Sequence, residues 1–160
     1  MNRPGWVHRT IWVLFALLGA NPAARADDQR HRPAVPLLPS YKQECAACHV
    51  AFPPGMLPAD SWRRLLNDLP RHYGTDASLD AATVNELATW LGANAGTYKR
   101  VGEAPPEDRI TKSAWFIRKH DEVPAAAWQR PAVKSAANCT ACHTQAAQGD
   151  FNEQSVRIPR

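Results

Sequence analysis

Cys45-Ala46-Ala47-Cys48-His49 and Cys139-Thr140-Ala141-Cys142-His143 are the two stretches whose residue types and spacing point to a specific chemistry. Together they use every cysteine in the chain. Two thiols three residues apart can join the two vinyl groups on one edge of a haem as thioethers. The histidine that follows then falls under the ring centre, where its imidazole can bind iron. Rival chemistries explain less. A disulfide framework suits an exported chain with an even cysteine count, but it gives no reason for the two histidines. Zinc ribbons separate their C-x-x-C units by about 15–20 residues, whereas Cys139 follows Cys48 by 91 positions. A thioredoxin-like pair would accompany a βαβ pattern, which is missing. The spacing predicts two covalently bound haem groups.

Each iron has a second axial position, and its occupant separates a carrier of electrons from a catalyst. Met56 is the one methionine beyond Met1. It follows His49 by seven residues, too soon to reach the opposite face of the same ring, and it could serve only one iron. His8 lies in the N-terminal leader, and His31 in the charged stretch Asp27 to Arg32. That leaves His72 and His120. His72 follows His49 by 23 positions, and His120 precedes His143 by 23. The arrangement is a mirror image rather than a tandem repeat. Taken singly, each would read as a surface histidine beside Arg71 or Lys119. With two irons to fill, they become the distal ligands. Local pairing (His49 with His72, His143 with His120) closes the smaller loops, and crossed pairing stays open. Imidazole in place of a potential-raising thioether predicts two low potentials.

The elements that must position these residues can be read around them. Residues 1–26 have the form of an export signal: Arg3 and Arg9, an apolar run from Ile11 to Ala20, and Ala24-Arg25-Ala26 at the cleavage position. The run is shorter than the about 20 residues that span a bilayer. Beyond it, sixteen Lys and Arg face fifteen Asp and Glu, a formal +1, with no basic block. Nucleic-acid binding needs a clustered basic stripe, so that class is excluded. A field this weak predicts transfer to redox partners with only moderate salt dependence.

A mainly α fold is expected, since nothing alternates with period two. Ser40 and Gln43 suggest a capping box opening a helix that runs through Cys45 to His49, stopped by Pro53-Pro54. Trp62, Leu65, Leu66 and Leu69 mark the apolar face of a second helix. Asp80 can cap a third, burying Val84, Leu87 and Leu91. Thr111 could cap a helix carrying Trp115, Phe116 and His120, and a last helix is expected over Val133 to His143. Gly96 to Asp108 is the candidate linker. It divides the chain into two small haem-binding lobes, residues 27–95 and 109–160. Each is small enough to need a cofactor as part of its core, with Trp62, Trp90, Trp115 and Trp128 expected on haem faces and edges.

With both strings in place, the chain resembles the dihaem cytochrome c (DHC) family of bacteria. The resemblance rests on Glu44 to His49 with Pro53-Pro54, Ser61-Trp62-Arg63, His72-Tyr73-Gly74 and Ala77 to Asp80. It continues through Arg109-Ile110-Thr111, Trp115-Phe116, His120, Asn138 to His143 and the ending Ser155 to Arg160. It implies a periplasmic electron carrier with bis-histidine haems, not an enzyme, whose first lobe is similar to class I cytochromes c. It implies His49 and His72 on the iron tethered by Cys45 and Cys48, and His143 and His120 on the iron tethered by Cys139 and Cys142. A membrane cytochrome b is implied as donor and a small oxygen-binding monohaem cytochrome as acceptor. The alternative is a dihaem enzyme of the peroxidase kind, or a gas sensor, with one open haem site.

Overall fold

The computed structural model describes residues 35–98 and 101–160, which fall in one compact unit. The export signal and His31 lie outside the described residues. Among these residues there are helices, short 3₁₀ turns and loops, and no strand. None of the helices is long and apolar enough to cross a membrane.

Helix α1 (Pro39–Cys45) starts one residue before Ser40, the expected cap, with Leu38 at the N-cap and proline at its first position. Proline there has its φ preset for a helix and lacks only an N–H that would be unpaired anyway. Ser40 therefore caps nothing, and its hydroxyl has no partner among the described residues. The helix also stops at Cys45, four residues short of His49. Residues 46–48 continue as a turn, and Pro53 disfavours helical geometry at Phe52.

Helix α2 (Ala59–Asn67) buries Ser61, Trp62 and Leu66, and Asp60 in its first turn complements the helix dipole. Trp62 Nε1 donates to Pro54 O at 2.8 Å, fixing the loop after the first C-x-x-C-H string. Helix α3 (Ala81–Asn94) opens as expected on Asp80, whose carboxylate accepts from the Ala82 and Thr83 amides. Leu87 and Leu91 bury its inner face. Together with Tyr41, Ala51, Leu57, Trp62 and Leu66 they form the main hydrophobic core.

Gly96 closes this half. Its amide donates to Leu57 O, and a Cβ there would lie 2.6 Å from both Gly55 O and Val101 Cγ1. Gly96→Ala should cost roughly 1–3 kcal/mol in denaturant unfolding of the holoprotein. Gly92→Ala, inside α3 with open space around it, should instead gain about 0.5–1 kcal/mol.

The second half is built differently. Helix α4 (Ala114–Lys119) is capped by Ser113 rather than Thr111. Thr111 is inside the 3₁₀ turn Ile110–Lys112, while extended Ser113 accepts from the Phe116 amide. His120 sits at the C-cap of α4. A one-turn helix, α5 (Ala125–Trp128), follows. The helix expected over Val133 to His143 is absent. Lys134 takes a left-handed φ of 66°, and Asn138 Nδ2 donates to Val133 O. Ser135 and Asn138 satisfy the backbone locally, competing with helix, and only Cys139–Ala141 makes a 3₁₀ turn.

Candidate functional site

The first string leaves α1 and turns, so Cys45 packs against the core while Cys48 is exposed. Burial, then the charge of Glu44, pushes the Cys45 thiol up to about 11. Burial raises Cys139 and Cys142 too, in Cys142 against the pull of Arg130. None of these three is held as the thiolate that a nucleophilic or redox cysteine requires, and none of the four is disulfide-bonded. They are built to tether.

His72 follows the 3₁₀ turn Leu69–Arg71, and its backbone bridges to Thr75 across a turn containing Gly74 at φ 95°. Its ring faces His49, with centroids 6.2 Å apart and planes 23° from parallel. In the second half His120 faces His143 at 6.0 Å, with planes at 71°. Two imidazoles on opposite sides of one metal ion, with metal–nitrogen bonds of about 2 Å and ring radii of about 1.1 Å, hold their centroids about 6.2 Å apart. Both separations match. The polypeptide thus brings together the local pairs, each beside its own C-x-x-C-H string. Among the described residues no three His, Cys, Asp or Glu side chains converge as a zinc site would need.

The surroundings also suit a flat apolar ring. A cavity in the second half contains Cys139, Cys142, His120 and His143, walled by Phe116, Trp128, Val156 and Ile158. The C-terminal tail supplies the last two and is laced to the string: Arg157 N donates to Cys142 O, and Thr144 Oγ1 to Ser155 O. A cleft of about 250 Å³ is lined by Ala46, His49 and Ala51 and also by Thr140 and Ala147. Residues of both strings therefore line one cleft.

Metal-bound imidazole ordinarily donates its second N–H to an acceptor. His49 Nδ1 lies 2.8 Å from Val50 O, and His120 Nδ1 lies 2.9 Å from Phe116 O. A carbonyl only accepts, so Nδ1 carries the hydrogen in both and Nε2 keeps its lone pair. His72 and His143 differ: their Nδ1 atoms are buried without a partner among the described residues. Burial lowers the pKa of both, followed by the facing His49 and then Arg109 for His72. For His143 the second cause is His120, partly offset by Asp150. Neutral imidazole is the form that binds metal.

Aromatic side chains lie beside these histidines. Phe52 stacks on His49 at 5.0 Å, Phe116 on His120 at 4.0 Å, and Phe151 lies 5.5 Å from His143. Phe116 precedes His120 by four positions, which brings the two rings together along the helix expected to carry both. Among the tryptophans, Trp128 stands 5.9 Å from His120 and Trp115 packs edge-on to Phe116. Trp62 and Trp90 both pack on Tyr41.

A family model described as dihaem cytochrome c matches residues 41–151. The chain is similar to the crystallised dihaem cytochrome c of Shewanella baltica OS155, with 38% identity and a TM-score of 0.68. The match covers 78% of this chain and 95% of that one. It is also similar to DHC purified from Rhodobacter sphaeroides, at 43% identity and a TM-score of 0.64, over 73% of this chain and 99% of the other. No curated protein matches. The chain belongs to the dihaem cytochrome c family, electron-transfer haem proteins, and its cofactors are two covalently bound haem c groups, one at each C-x-x-C-H string.

Proposed function

We propose that this protein is a periplasmic electron carrier in which each iron is closed off by two imidazoles. Cys45 and Cys48 tether one ring, and Cys139 and Cys142 the other. His49 and His143 are the proximal ligands, and His72 and His120 the distal ones. The observation that carries this reading is the pair of histidine separations, 6.2 and 6.0 Å, each spaced for one metal ion and beside two tethering thiols. Four imidazoles on two irons leave no position for substrate.

Haem supplies a ferric–ferrous couple when bound. The chain's part is to keep ligands and geometry alike in both oxidation states, so that little rearranges when an electron passes. The His49 and His120 N–H bonds to backbone carbonyls orient two of the four rings. Phe116, buried beside His120, closes one side of the second pair to solvent. The cleft shared by the two strings supports passage of electrons between the centres within one molecule.

The same reading includes the export signal at 1–26, haem lobes at 27–95 and 109–160, and a connection at 96–108. Contact with partners is expected to be brief and small in area, as for other redox encounters. The family resemblance suggests a membrane cytochrome b as donor and a small oxygen-binding monohaem cytochrome as acceptor.

Carbon monoxide added to the dithionite-reduced holoprotein tests the closed sites. No change in the Soret band on mixing is expected. A prompt shift equivalent to one or both haems would favour an enzyme or a gas sensor instead.

A further inference from the structure

The carrier reading leaves one cluster of residues unused. Four non-glycine residues among those described have positive φ, and three of them meet at one place: Tyr73 at 51°, Glu107 at 57° and Asp108 at 54°. A residue with a Cβ keeps such a conformation only where its surroundings fix it, as at ligand clamps. Here they do. Tyr73 Oη donates to Glu107 O at 2.9 Å. The Arg109 guanidinium lies 4.0 Å above the Tyr73 ring and pairs back to Glu107 at 3.1 Å. Arg64 holds Asp108 through two bonds of 2.8 and 2.6 Å, anchoring the segment to α2.

Tyr73 adjoins His72 in sequence, and their rings are 4.9 Å apart. The His72 backbone is fixed by its bonds to Leu69 and Thr75, but its ring has no hydrogen bond through Nδ1, which is buried without a partner among the described residues. The other distal candidate, His120, has both the Phe116 carbonyl and the Phe116 ring. His49 and His143 each follow a tethering cysteine directly. Of the four, only His72 lacks both a neighbouring tether and a hydrogen bond from ring Nδ1.

We propose that Tyr73, Glu107 and Arg109 form a clasp that positions His72 from outside, and that His72 is the exchangeable ligand of the four. Released, the clasp opens the first centre, and not the second, to a small neutral diatomic ligand. The exchange breaks one iron–imidazole bond and forms one iron–ligand bond, with no change of oxidation state and no proton moved. The inference rests on the bis-imidazole reading above.

Two conservative variants test it on the dithionite-reduced holoprotein, with carbon monoxide as the probe. Tyr73→Phe removes one hydroxyl bond, and Arg109→Gln removes the cation above the ring. Each should raise carbon monoxide uptake after a fixed incubation by roughly fivefold, the scale of one lost hydrogen bond. The upper limit is one haem per chain. The oxidised, partly opened variants should weaken the same low-spin signal that His72→Ala abolishes, and leave the other signal unchanged. Uptake equal to wild type in both variants would overturn the clasp, as would uptake at the second haem. Wild-type protein that binds carbon monoxide promptly would overturn the closed-site reading as well. A closed wild type with unresponsive variants would overturn the clasp alone.

Discussion

Replacing Cys139 and Cys142 together with alanine is expected to remove one haem per chain and to unfold the polypeptide from about Ala114 onward. Beyond Ser113, the buried apolar residues are Phe116, Ala127, Val133 and Ala146. Burial worth about 2–3 kcal/mol for a phenylalanine and less for each of the others cannot offset the ordering entropy of so long a segment. The cavity lined by Phe116, Trp128, Val156 and Ile158 has its packing partner in the ring. Cys45→Ala with Cys48→Ala should also remove one haem, yet leave α2 and α3 folded. Those helices share a core of their own around Trp62, Leu66, Leu87 and Leu91. Mass spectrometry counts the haems, and amide hydrogen exchange by segment locates the unfolding. Wild-type protection over 114–160 in the Cys139/Cys142 variant would refute the asymmetry.

His72→Ala and His120→Ala should each turn one haem high-spin and make it bind carbon monoxide in full, with the other haem unchanged. Their costs in stability should differ. His120→Ala also removes the bond to Phe116 O and the stack on the Phe116 ring, so a loss of about 1–3 kcal/mol is expected. His72→Ala deletes a side chain whose Nδ1 has no partner among the described residues, and it should cost less. Absorption spectra report spin state, and denaturant unfolding reports stability. A variant that keeps two low-spin haems would show that its histidine is not a ligand.

The chemistry was far more legible in the sequence than the chain path. Each C-x-x-C-H string is a local device, so residue type and spacing carry it whole. Loop closure favoured the local histidine pairs and left crossed pairing open, and it is the local pairs whose rings lie about 6 Å apart. Asp80 and the Leu87–Leu91 stripe announced α3 because capping and helical periodicity are short-range effects. The errors arose where tertiary bonds outweigh local preference. Ser113 caps α4 because Thr111, the expected cap, is taken up by the turn Ile110–Lys112. The stretch after Val133 has good helix formers, but Lys134 is left-handed and Asn138 bonds back to Val133. The clasp over His72 was invisible, since a tyrosine and a glutamate at positive φ carry no signature. Arg109 reveals its part only once it lies over a ring 36 positions earlier in the chain.

The low-temperature electron paramagnetic resonance spectrum of the oxidised holoprotein tests the closed, doubly nitrogen-ligated irons most directly. Two low-spin ferric signals of equal weight are expected. The near-parallel His49–His72 planes should give a rhombic signal, and the steeply crossed His120–His143 planes a more anisotropic one. A high-spin ferric signal accounting for either haem would contradict the account.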